Sequence, residues 1–267
     1  MVNIAVLGYG TVGSGVVEVI NTNGAQINQR IGDELNVKYV LDLRDFPGDP
    51  IQEKIVHDFD VILKDDDIQI VVEVMGGIEP AYTCVKSSLE AGKRVATSNK
   101  ALVAKHGAEL LSIAKEKNIN FLLEASVGGG IPIIRPLKEC LAGNHMAEVM
   151  GIVNGTTNFI LTKMTQDGME FKDALALATE LGYAEADPTA DVEGLDAGRK
   201  VAIMATSAFH SQVKFSDVYT EGITKITAAD VNYAKEMGNV IKLIGIARNT
   251  SNGIEAGVYP MMIDKKH

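Results

Sequence analysis

Residues 2–13 read VNIAVLGYGTVG, and this stretch decides the fold of the first half of the chain. Residues 2–7 form a short apolar run without a charged side chain, which is typical of a buried strand in a parallel sheet. Glycine ends the run, and residues 8–31 then place apolar side chains at helical spacing. The stretch predicts a strand, a glycine-rich turn and a helix with one apolar face, formed by Val12, Val16, Val19 and Ile20.

The turn itself, Gly8-Tyr9-Gly10-Thr11-Val12-Gly13, matches the G-x-G-x-x-G pattern of dinucleotide-binding folds. In that pattern the first glycine permits a tight turn, the second lets the backbone approach a pyrophosphate, and the third lets the helix pack closely. Unpaired amides and the helix dipole would hold the anion. The alternative is a glycine-rich turn that binds no nucleotide. The candidate cofactor residues are Gly8, Gly10, Thr11, Val12 and Gly13.

Strands and helices continue to alternate through residues 1–132, which predicts an α/β domain with a Rossmann-type, doubly wound parallel sheet. Ligands of such sheets bind beyond the carboxyl ends of the strands. Glycine-rich or polar residues follow several of these ends, and they extend the candidate cofactor site to Gly76, Ser98 and Lys100. The predicted strands after the first cover 37–43, 68–75, 94–98 and 119–126, and the predicted helices cover 79–93 and 101–117.

The end of the second strand chooses between NAD and NADP in this fold. An acidic residue there binds the ribose 2′-hydroxyl, whereas an arginine accommodates a 2′-phosphate. Residues 41–45 read LDLRD and offer both. Arg44 either faces a 2′-phosphate or pairs with Asp45 on the surface, and the pattern slightly favours NADP.

Residues 133–267 lose the strict alternation and predict an α+β domain for substrate binding or dimerisation. The Asn154-Gly155 pair predicts a tight turn before a helix capped by Thr156 or Thr157. Two helices broken at Asp187-Pro188 are expected next. The other predicted elements are a linking helix over 133–143, a helix over 226–238 that Thr227 and Asp230 cap, and antiparallel strands over 240–250 and 253–264.

Composition excludes some partners. The net charge of −10 and an aromatic content of 5% without tryptophan disfavour nucleic-acid binding. No apolar run reaches the length of a membrane span, and the amino terminus lacks the basic region of a signal peptide. Cys84 and Cys140 have no metal or redox spacing, so two reduced, buried thiols in a cytoplasmic protein are expected. The five histidines show no ligand spacing and are expected to be structural or solvated.

Residues 191–200, DVEGLDAGRK, carry an acid and a base about one helical turn apart, Asp196 and Lys200. Spacing alone allows an exposed ion pair worth a few tenths of a kcal/mol or a charged pair held for chemistry.

Several long motifs decide between these alternatives. They include VLGYGTVGSGV at 6–16, EVMGGIEPA at 73–81, ATSNKALVA at 96–104 and EASVGGGIPII at 124–134. The most diagnostic are GIVNGTTNFILTKM at 151–164 and LGYAEADPTADVEGLDAGRK at 181–200. The sequence closely resembles homoserine dehydrogenases through nearly its whole length. The resemblance implies NAD(P)-dependent interconversion of L-homoserine and L-aspartate 4-semialdehyde in threonine, methionine and isoleucine biosynthesis.

The resemblance also implies residue roles. Lys200 would exchange a proton with the substrate C4 oxygen, which agrees with the charge that hydride transfer builds there. Asp196 would bind substrate beside it, and Lys100 would correspond to a family lysine near nicotinamide and substrate. The other implied substrate residues are Glu185, Gly155 and Thr156. A sodium ion would use the Glu124 carboxylate and the carbonyls of Val127, Gly129 and Ile131. A homodimer through the second domain is expected.

Two departures from the family pattern bear on these expectations. Gly198 stands where the family usually has alanine, and glycine in a helix costs about 1 kcal/mol relative to alanine. Family members normally continue beyond residues 261–267 and return to the nucleotide domain, and some add an amino-acid-sensing domain. A C-terminally short form without feedback through that domain is therefore expected. The competing hypotheses are a reductase for another amino-acid semialdehyde or an imine, and a non-catalytic nucleotide-binding or dimer-forming module.

Overall fold

The computed structural model describes every residue from Met1 to His267. The chain divides into two compact units, Met1–Pro132 and Ile133–His267. None of the helices combines the length and the apolar character that crossing a membrane requires.

The first unit is a six-stranded parallel sheet with strand order β3-β2-β1-β4-β5-β6. Its strands are β1 (Val2–Leu7), β2 (Leu35–Leu41), β3 (Ile55–Val56), β4 (Ile68–Glu73), β5 (Arg94–Thr97) and β6 (Phe121–Leu122). Its helices are α1 (Thr11–Ile31), α2 (Phe59–Leu63), α3 (Ala81–Glu90) and α4 (Lys100–Glu116). This order places a switch point between β1 and β4, where doubly wound sheets bind ligands. The predicted fold class is confirmed.

The core of this unit surrounds β1, whose Ala5, Val6 and Leu7 are fully buried. The predicted apolar face of α1 is partly wrong. Val17 is buried and Val16 and Ile20 pack on the core, but Val12 and Val19 are about half exposed. Around the helix, Ile20 lies between Val16 and Val17, whereas Val12 and Val19 lie on the other side of Val16, so the buried face is rotated toward Val17 relative to the predicted one.

Several strand boundaries of the first unit also differ from the prediction, and β4 ends at Glu73 rather than at 75. The second strand ends at Leu41 rather than at 43, and Leu43 is 91% exposed. The last strand is only two residues long, because Glu124–Ser126 form a 3₁₀ turn. The early end of β2 places Asp42 directly beyond the carboxyl edge of the sheet.

The second unit is a four-stranded sheet of order β7-β9-β10-β8 with helices, so the predicted α+β class is confirmed. The long strands β9 and β10 form the expected antiparallel hairpin, and β8 pairs in parallel with β10. The strands are β7 (Glu148–Gly151), β8 (Tyr219–Thr220), β9 (Asn239–Thr250) and β10 (Gly253–Asp264). The helices are α5 (Gly155–Asp167), α6 (Phe171–Glu180), α7 (Thr189–Val192), α8 (Leu195–Phe209) and α9 (Ala228–Glu236).

Local structure in this unit corrects three predictions. The linking segment forms a π-helix at Pro136–Cys140, and Cys140 is exposed rather than buried. Residues 171–209 form three helices rather than two, because Gly194 adopts a left-handed conformation (φ 76°) between α7 and α8. The capping box of Thr227 and Asp230 on α9 is confirmed.

Candidate active site

The glycine-rich turn of the first unit has the geometry that its pattern requires. Gly8 has φ of 102°, a conformation that side chains rarely adopt. A Cβ at Gly13 would overlap the carbonyl of Gly8, so only glycine lets the helix lie this close. Gly10 is the N-cap of α1 and has open space around it. No side chain makes a capping hydrogen bond to the start of α1. The turn therefore leaves room for a pyrophosphate in front of unpaired amides, and Thr11 and Val12 present theirs at the exposed helix start.

A cleft of about 620 Å³ opens at this turn. It brings together four of the predicted cofactor residues from different parts of the chain, Gly8, Gly10, Arg44 and Gly76. The cleft residues that the sequence did not indicate as cofactor residues include Tyr9, His57, Phe59, Pro80 and Cys84. Ser98 and Lys100 do not line the cleft. Ser98 follows β5, and Lys100 is the first residue of α4.

Asp42 and Arg44 form a bidentate pair at the mouth of the cleft. The guanidinium donates from Nε to Oδ1 over 2.9 Å and from Nη2 to Oδ2 over 3.0 Å. Asp42 Oδ2 also accepts the Tyr9 amide at 2.8 Å, and Arg44 donates to the Tyr9 carbonyl at 3.2 Å. The bonds from Arg44 hold the pKa of Asp42 well below its usual range. The predicted alternative partner Asp45 is wrong, because Arg44 pairs with Asp42.

His57 lies behind this pair. Its Nδ1 donates to the Asp42 carbonyl over 2.7 Å, and its Nε2 lies 3.2 Å from Asp45 Oδ1. Both partners are acceptors, so the doubly protonated imidazole satisfies both contacts. The bond to the Asp42 carbonyl, with the Asp45 carboxylate, raises the pKa of His57.

A buried network joins two loops at the same sheet edge. Glu73 at the end of β4 is fully buried, and its carboxylate accepts bonds from the Thr97 hydroxyl and the Met75 amide. Asn99, the N-cap of α4, donates its side-chain amide to the Gly77 carbonyl over 2.6 Å and more weakly to Glu73. Its Oδ1 accepts the Leu102 amide. Lys100 thus begins a helix whose cap is fixed to the neighbouring glycine loop.

The residues predicted to hold sodium lie in the loop after β6. The Glu124 carbonyl accepts the amides of Val127 and Gly128, which folds the segment into a tight turn. A Cβ at Gly128 would lie 2.5 Å from the Ile131 carbonyl oxygen, so this oxygen approaches the turn closely. The carboxylate and carbonyl oxygens of this set match the oxygen ligands that hard cations prefer. No group of three or more His, Cys, Asp or Glu side chains in the structure is placed to hold a metal ion.

In the second unit, α8 places Lys200 and Asp196 on one face. Lys200 Nζ lies 2.9 Å from Asp196 Oδ2, and the two side chains are 15% and 5% exposed. Lys200 also donates to the Val153 carbonyl over 2.8 Å. A surface ion pair is mostly solvated, whereas these charges are nearly removed from water. The alternative of an exposed ion pair is wrong.

The loop after β7 contacts both members of this pair, because Val153 bonds to Lys200 and Asn154 bonds to Asp196. Asn154, not Thr156 or Thr157, caps α5, because its Oδ1 accepts the Thr157 amide at 2.9 Å. Its side-chain amide donates to Asp191 Oδ1 at 2.7 Å and to Asp196 Oδ2 at 3.0 Å. Asn154 therefore caps α5 directly, and Gly155 is the first residue of the helix rather than part of the predicted tight turn. The Asn-x-x-Thr spacing is a cap signal, but no local signal indicates the two distant carboxylates.

The other predicted substrate residues lie nearby in sequence and differ in exposure. Gly155 is exposed at the first position of α5. Thr156 is buried, and its hydroxyl donates to the Tyr183 carbonyl over 2.8 Å. Glu185 is exposed between α6 and α7, two residues after Tyr183.

Gly198 has a packing explanation. A Cβ at this position would lie 2.8 Å from Phe215 Cε2 and 2.9 Å from Thr220 Oγ1. The Arg199 guanidinium also lies over the ring of Phe215, 5.4 Å from the centroid of the ring. The aromatic side chain thus occupies the space that an alanine methyl group would need.

Two family models match consecutive parts of the chain. A model of the NAD binding domain of homoserine dehydrogenase matches residues 8–124, and a homoserine dehydrogenase model matches residues 132–267. A homoserine dehydrogenase of Corynebacterium glutamicum is 46% identical over all of this chain, which spans 61% of that relative. The chain thus covers less than two thirds of the length of such relatives.

Solved structures of homoserine dehydrogenases are also similar to this chain. A homoserine dehydrogenase from Thiobacillus denitrificans superposes with a TM-score of 0.95 at 42% identity, covering 100% of this chain and 62% of that one. A hyperthermophilic archaeal homoserine dehydrogenase in complex with NADPH superposes with a TM-score of 0.83 at 28% identity, covering 100% of this chain and 83% of that one.

Proposed function

Because the chain belongs to the homoserine dehydrogenase family, we propose that it interconverts L-homoserine and L-aspartate 4-semialdehyde, a step toward threonine, methionine and isoleucine. The observation that carries the proposal is the desolvated Lys200–Asp196 pair on α8. A lysine that is held at this distance from a carboxylate and is mostly buried suits proton exchange with a substrate oxygen.

Reduction of the aldehyde adds a hydride to its C4 carbon and a proton to its oxygen. The bound nicotinamide nucleotide supplies the hydride and takes it back in the reverse direction. Lys200 donates the proton from Nζ as negative charge develops on the oxygen, and it accepts this proton again during homoserine oxidation. The Val153 carbonyl and Asp196 fix the direction of the Nζ donors.

The remaining polar groups of the second unit bind the amino-acid part of the substrate. Asp196 orients the substrate beside Lys200, and Glu185 binds its amino or hydroxyl end. Gly155 and Thr156 contribute at the start of α5, where the helix dipole favours a negatively charged group such as the substrate carboxylate. The hydrogen bond from the Thr156 hydroxyl to the Tyr183 carbonyl supports a fixed position for this segment.

The proposed nucleotide is NADP in preference to NAD. Asp42 already accepts bonds from Arg44 and from the Tyr9 amide, so its carboxylate is less available to a ribose 2′-hydroxyl. The Arg44 side chain is 61% exposed and keeps N–H groups for a 2′-phosphate. Arg44→Leu should raise the dissociation constant of NADPH by about 10-fold to 100-fold and leave that of NADH nearly unchanged. Equal losses for both nucleotides would contradict this assignment.

Three further assignments complete the proposal for the first unit. Lys100 acts beside the nicotinamide, and Gly76 and Ser98 contact the nucleotide from neighbouring loops. Sodium binds to the Glu124 carboxylate and to the carbonyls of Val127, Gly129 and Ile131. The test compares the enzymatic rate in sodium chloride with the rate in the chloride of a bulky organic cation. Equal rates would contradict this site.

We also propose a cytoplasmic homodimer formed through the second unit. One row of paired residues crosses its sheet, Met150–Ile246–Gly257–Tyr219. Met150 and Tyr219 are about half exposed, and the Tyr219 ring stacks on Tyr259 at 5.1 Å. Exposed apolar side chains on one sheet face suit a protein–protein contact. Both cysteines are unpaired, which fits a reducing compartment.

One assay tests the activity. Purified chain, NADPH and L-aspartate 4-semialdehyde should give oxidation of the nucleotide and formation of homoserine. Turnover only with other semialdehydes or with imines would make the protein a different reductase. Nucleotide binding without any turnover would make this polypeptide a binding module.

A further inference from the structure

Asn154 is more than a helix cap. Its side chain is 6% exposed, and its amide group contacts three elements. Oδ1 accepts from the Thr157 amide and hydroxyl on α5. Nδ2 donates to Asp191 on α7 and to Asp196 on α8. The carboxylates accept only, and the Thr157 amide donates only, so just one orientation of the Asn154 amide satisfies every partner.

The choice of residue type is informative. Asparagine, aspartate and serine cap helices about equally well. Only asparagine among them also offers N–H donors that can lie between two carboxylates. Capping alone therefore does not explain asparagine at this position, whereas bridging Asp191 and Asp196 does.

The bridge acts on the reacting pair. Asp196 Oδ2 accepts from Asn154 Nδ2 at 3.0 Å and from Lys200 Nζ at 2.9 Å. The preceding residue, Val153, accepts from Lys200 through its carbonyl. Two consecutive residues of one loop therefore contact both members of the pair. The amide N–H of Asn154 stabilises part of the negative charge of Asp196 and so weakens the effect of this charge on Lys200.

We propose that Asn154 is a positioning residue that sets the proton affinity of Lys200 by sharing Asp196 Oδ2 with it; the kinetic part of this inference rests on the proposed function. Asp196 on its own helix faces Lys200 directly, and Asp191 on α7 is connected to the pair through Asn154. The β7–α5 loop presents a carbonyl and an amide, and no charge.

The test compares two variants that keep the cap. Asn154→Asp is isosteric and replaces the donor by a carboxylate oxygen, and Asn154→Ser removes the donor without adding charge. The matched control is Asn158→Asp, one turn along α5, where the side chain accepts a bond from Lys242 over 2.6 Å. All three substituted side chains keep an oxygen that can accept a hydrogen bond. Circular dichroism and the melting temperature report on folding.

The direct readout is the titration of Lys200 in the full chain with lysine labelled by ¹³C at Cε, its signal assigned by its loss in Lys200→Arg. We expect the titration midpoint to rise by about 1 pH unit or more in Asn154→Asp, because negative charge near an ammonium favours its protonated form. The midpoint should rise less in Asn154→Ser and should not move in Asn158→Asp. Unchanged midpoints in both Asn154 variants would overturn the proposal and leave Asn154 as a cap.

The kinetic readout separates this inference from the proposed function. Homoserine oxidation needs neutral Lys200, so Asn154→Asp should slow it at neutral pH by about tenfold for each pH unit of the shift. The acidic limb of the pH profile of homoserine oxidation should move to higher pH by the same amount as the Lys200 midpoint. A slower oxidation with an unmoved pH profile would show a structural role and would overturn the proposal. A wild-type chain without turnover would refute the proposed function, while the Lys200 titration would still decide the inference.

Discussion

Lys200 and Asp196 are separated by one helical turn, and the surroundings of this pair determine its role. An exposed pair at this spacing contributes only a few tenths of a kcal/mol. Here the side chains are 15% and 5% exposed, and the β7–α5 loop adds a carbonyl that accepts from Lys200 and an amide that donates to Asp196. Removing one member of such a pair leaves a poorly solvated charge, so its substitution has consequences beyond a lost surface contact.

Gly198 gives a residue-level prediction. Gly198→Ala should destabilise the protein by about 1 kcal/mol, because the clash with Phe215 and Thr220 costs about 1–3 kcal/mol and exceeds the gain in helix propensity of about 1 kcal/mol. Urea denaturation measures this change. The matched control is Gly24→Ala in α1, where the new methyl group meets open space and should stabilise the protein. Stabilisation by both substitutions would show that Phe215 yields without cost.

Cys84 and Cys140 should differ in reactivity. Burial raises the pKa of the Cys84 thiol to about 11, and the Glu73 and Glu79 carboxylates add to this rise. Because the thiolate is the reactive form, Cys84 should remain almost unlabelled by a maleimide at pH 7 and should react faster as the pH rises toward 11. Cys140 is exposed and should react at once. Mass spectrometry of peptides labelled over time distinguishes the two sites, and equal labelling at pH 7 would contradict the described burial.

At the scale of elements, two helices begin at buried asparagines with a second task. Asn99 caps α4 and holds the glycine loop after β4, and Asn154 caps α5 and holds Asp191 and Asp196. The sequence signals a cap in each case through the asparagine before an apolar helix. The second task depends on carboxylates and carbonyls more than 20 residues away, which local patterns do not contain.

The Glu73 network predicts a coupled effect on two loops. Glu73→Gln keeps the shape of the side chain but replaces an acceptor by a donor, so the Thr97 hydroxyl loses its acceptor. We expect a loss of about 1–3 kcal/mol of stability and weaker NADPH binding, because the glycine loop and the start of α4 are no longer joined. Chemical denaturation and fluorescence titration measure these effects. Thr220→Val, whose hydroxyl donates to the Val218 carbonyl in the other unit, serves as a control that should leave NADPH binding intact.

At the scale of the whole molecule, the sequence predicted the parallel sheet, its glycine turn and the antiparallel hairpin. These features have local causes: alternating element patterns, backbone conformations open to glycine, and turn residues between apolar runs. Features that depend on packing were not predictable. The end of β2 at Leu41 placed Asp42, not Asp45, beside Arg44, and the exposure of Cys140 follows from a π-helix that no simple period indicates.

The assembly gives a further prediction at this scale. Charge at Met150 and Tyr219, the exposed ends of the row that crosses the second sheet, should prevent dimerisation, so Met150→Glu combined with Tyr219→Glu should yield a folded monomer in sedimentation velocity. Tyr233→Glu on α9 is the matched control, since this tyrosine is 63% exposed outside the sheet. A wild-type chain that sediments as a monomer would contradict the proposed dimer.

The central claim is that Lys200 is the proton-exchanging group of a homoserine dehydrogenase, and its most direct test is the rate of NADPH oxidation with L-aspartate 4-semialdehyde in Lys200→Ala. The matched control is Lys163→Ala, which removes the lysine of an exposed pair with Asp167 at the same spacing in the same unit. We expect kcat to fall by about 10²-fold to 10⁴-fold in Lys200→Ala, with the fold retained, and to remain unchanged in Lys163→Ala. A normal kcat in a folded Lys200→Ala protein would contradict the account.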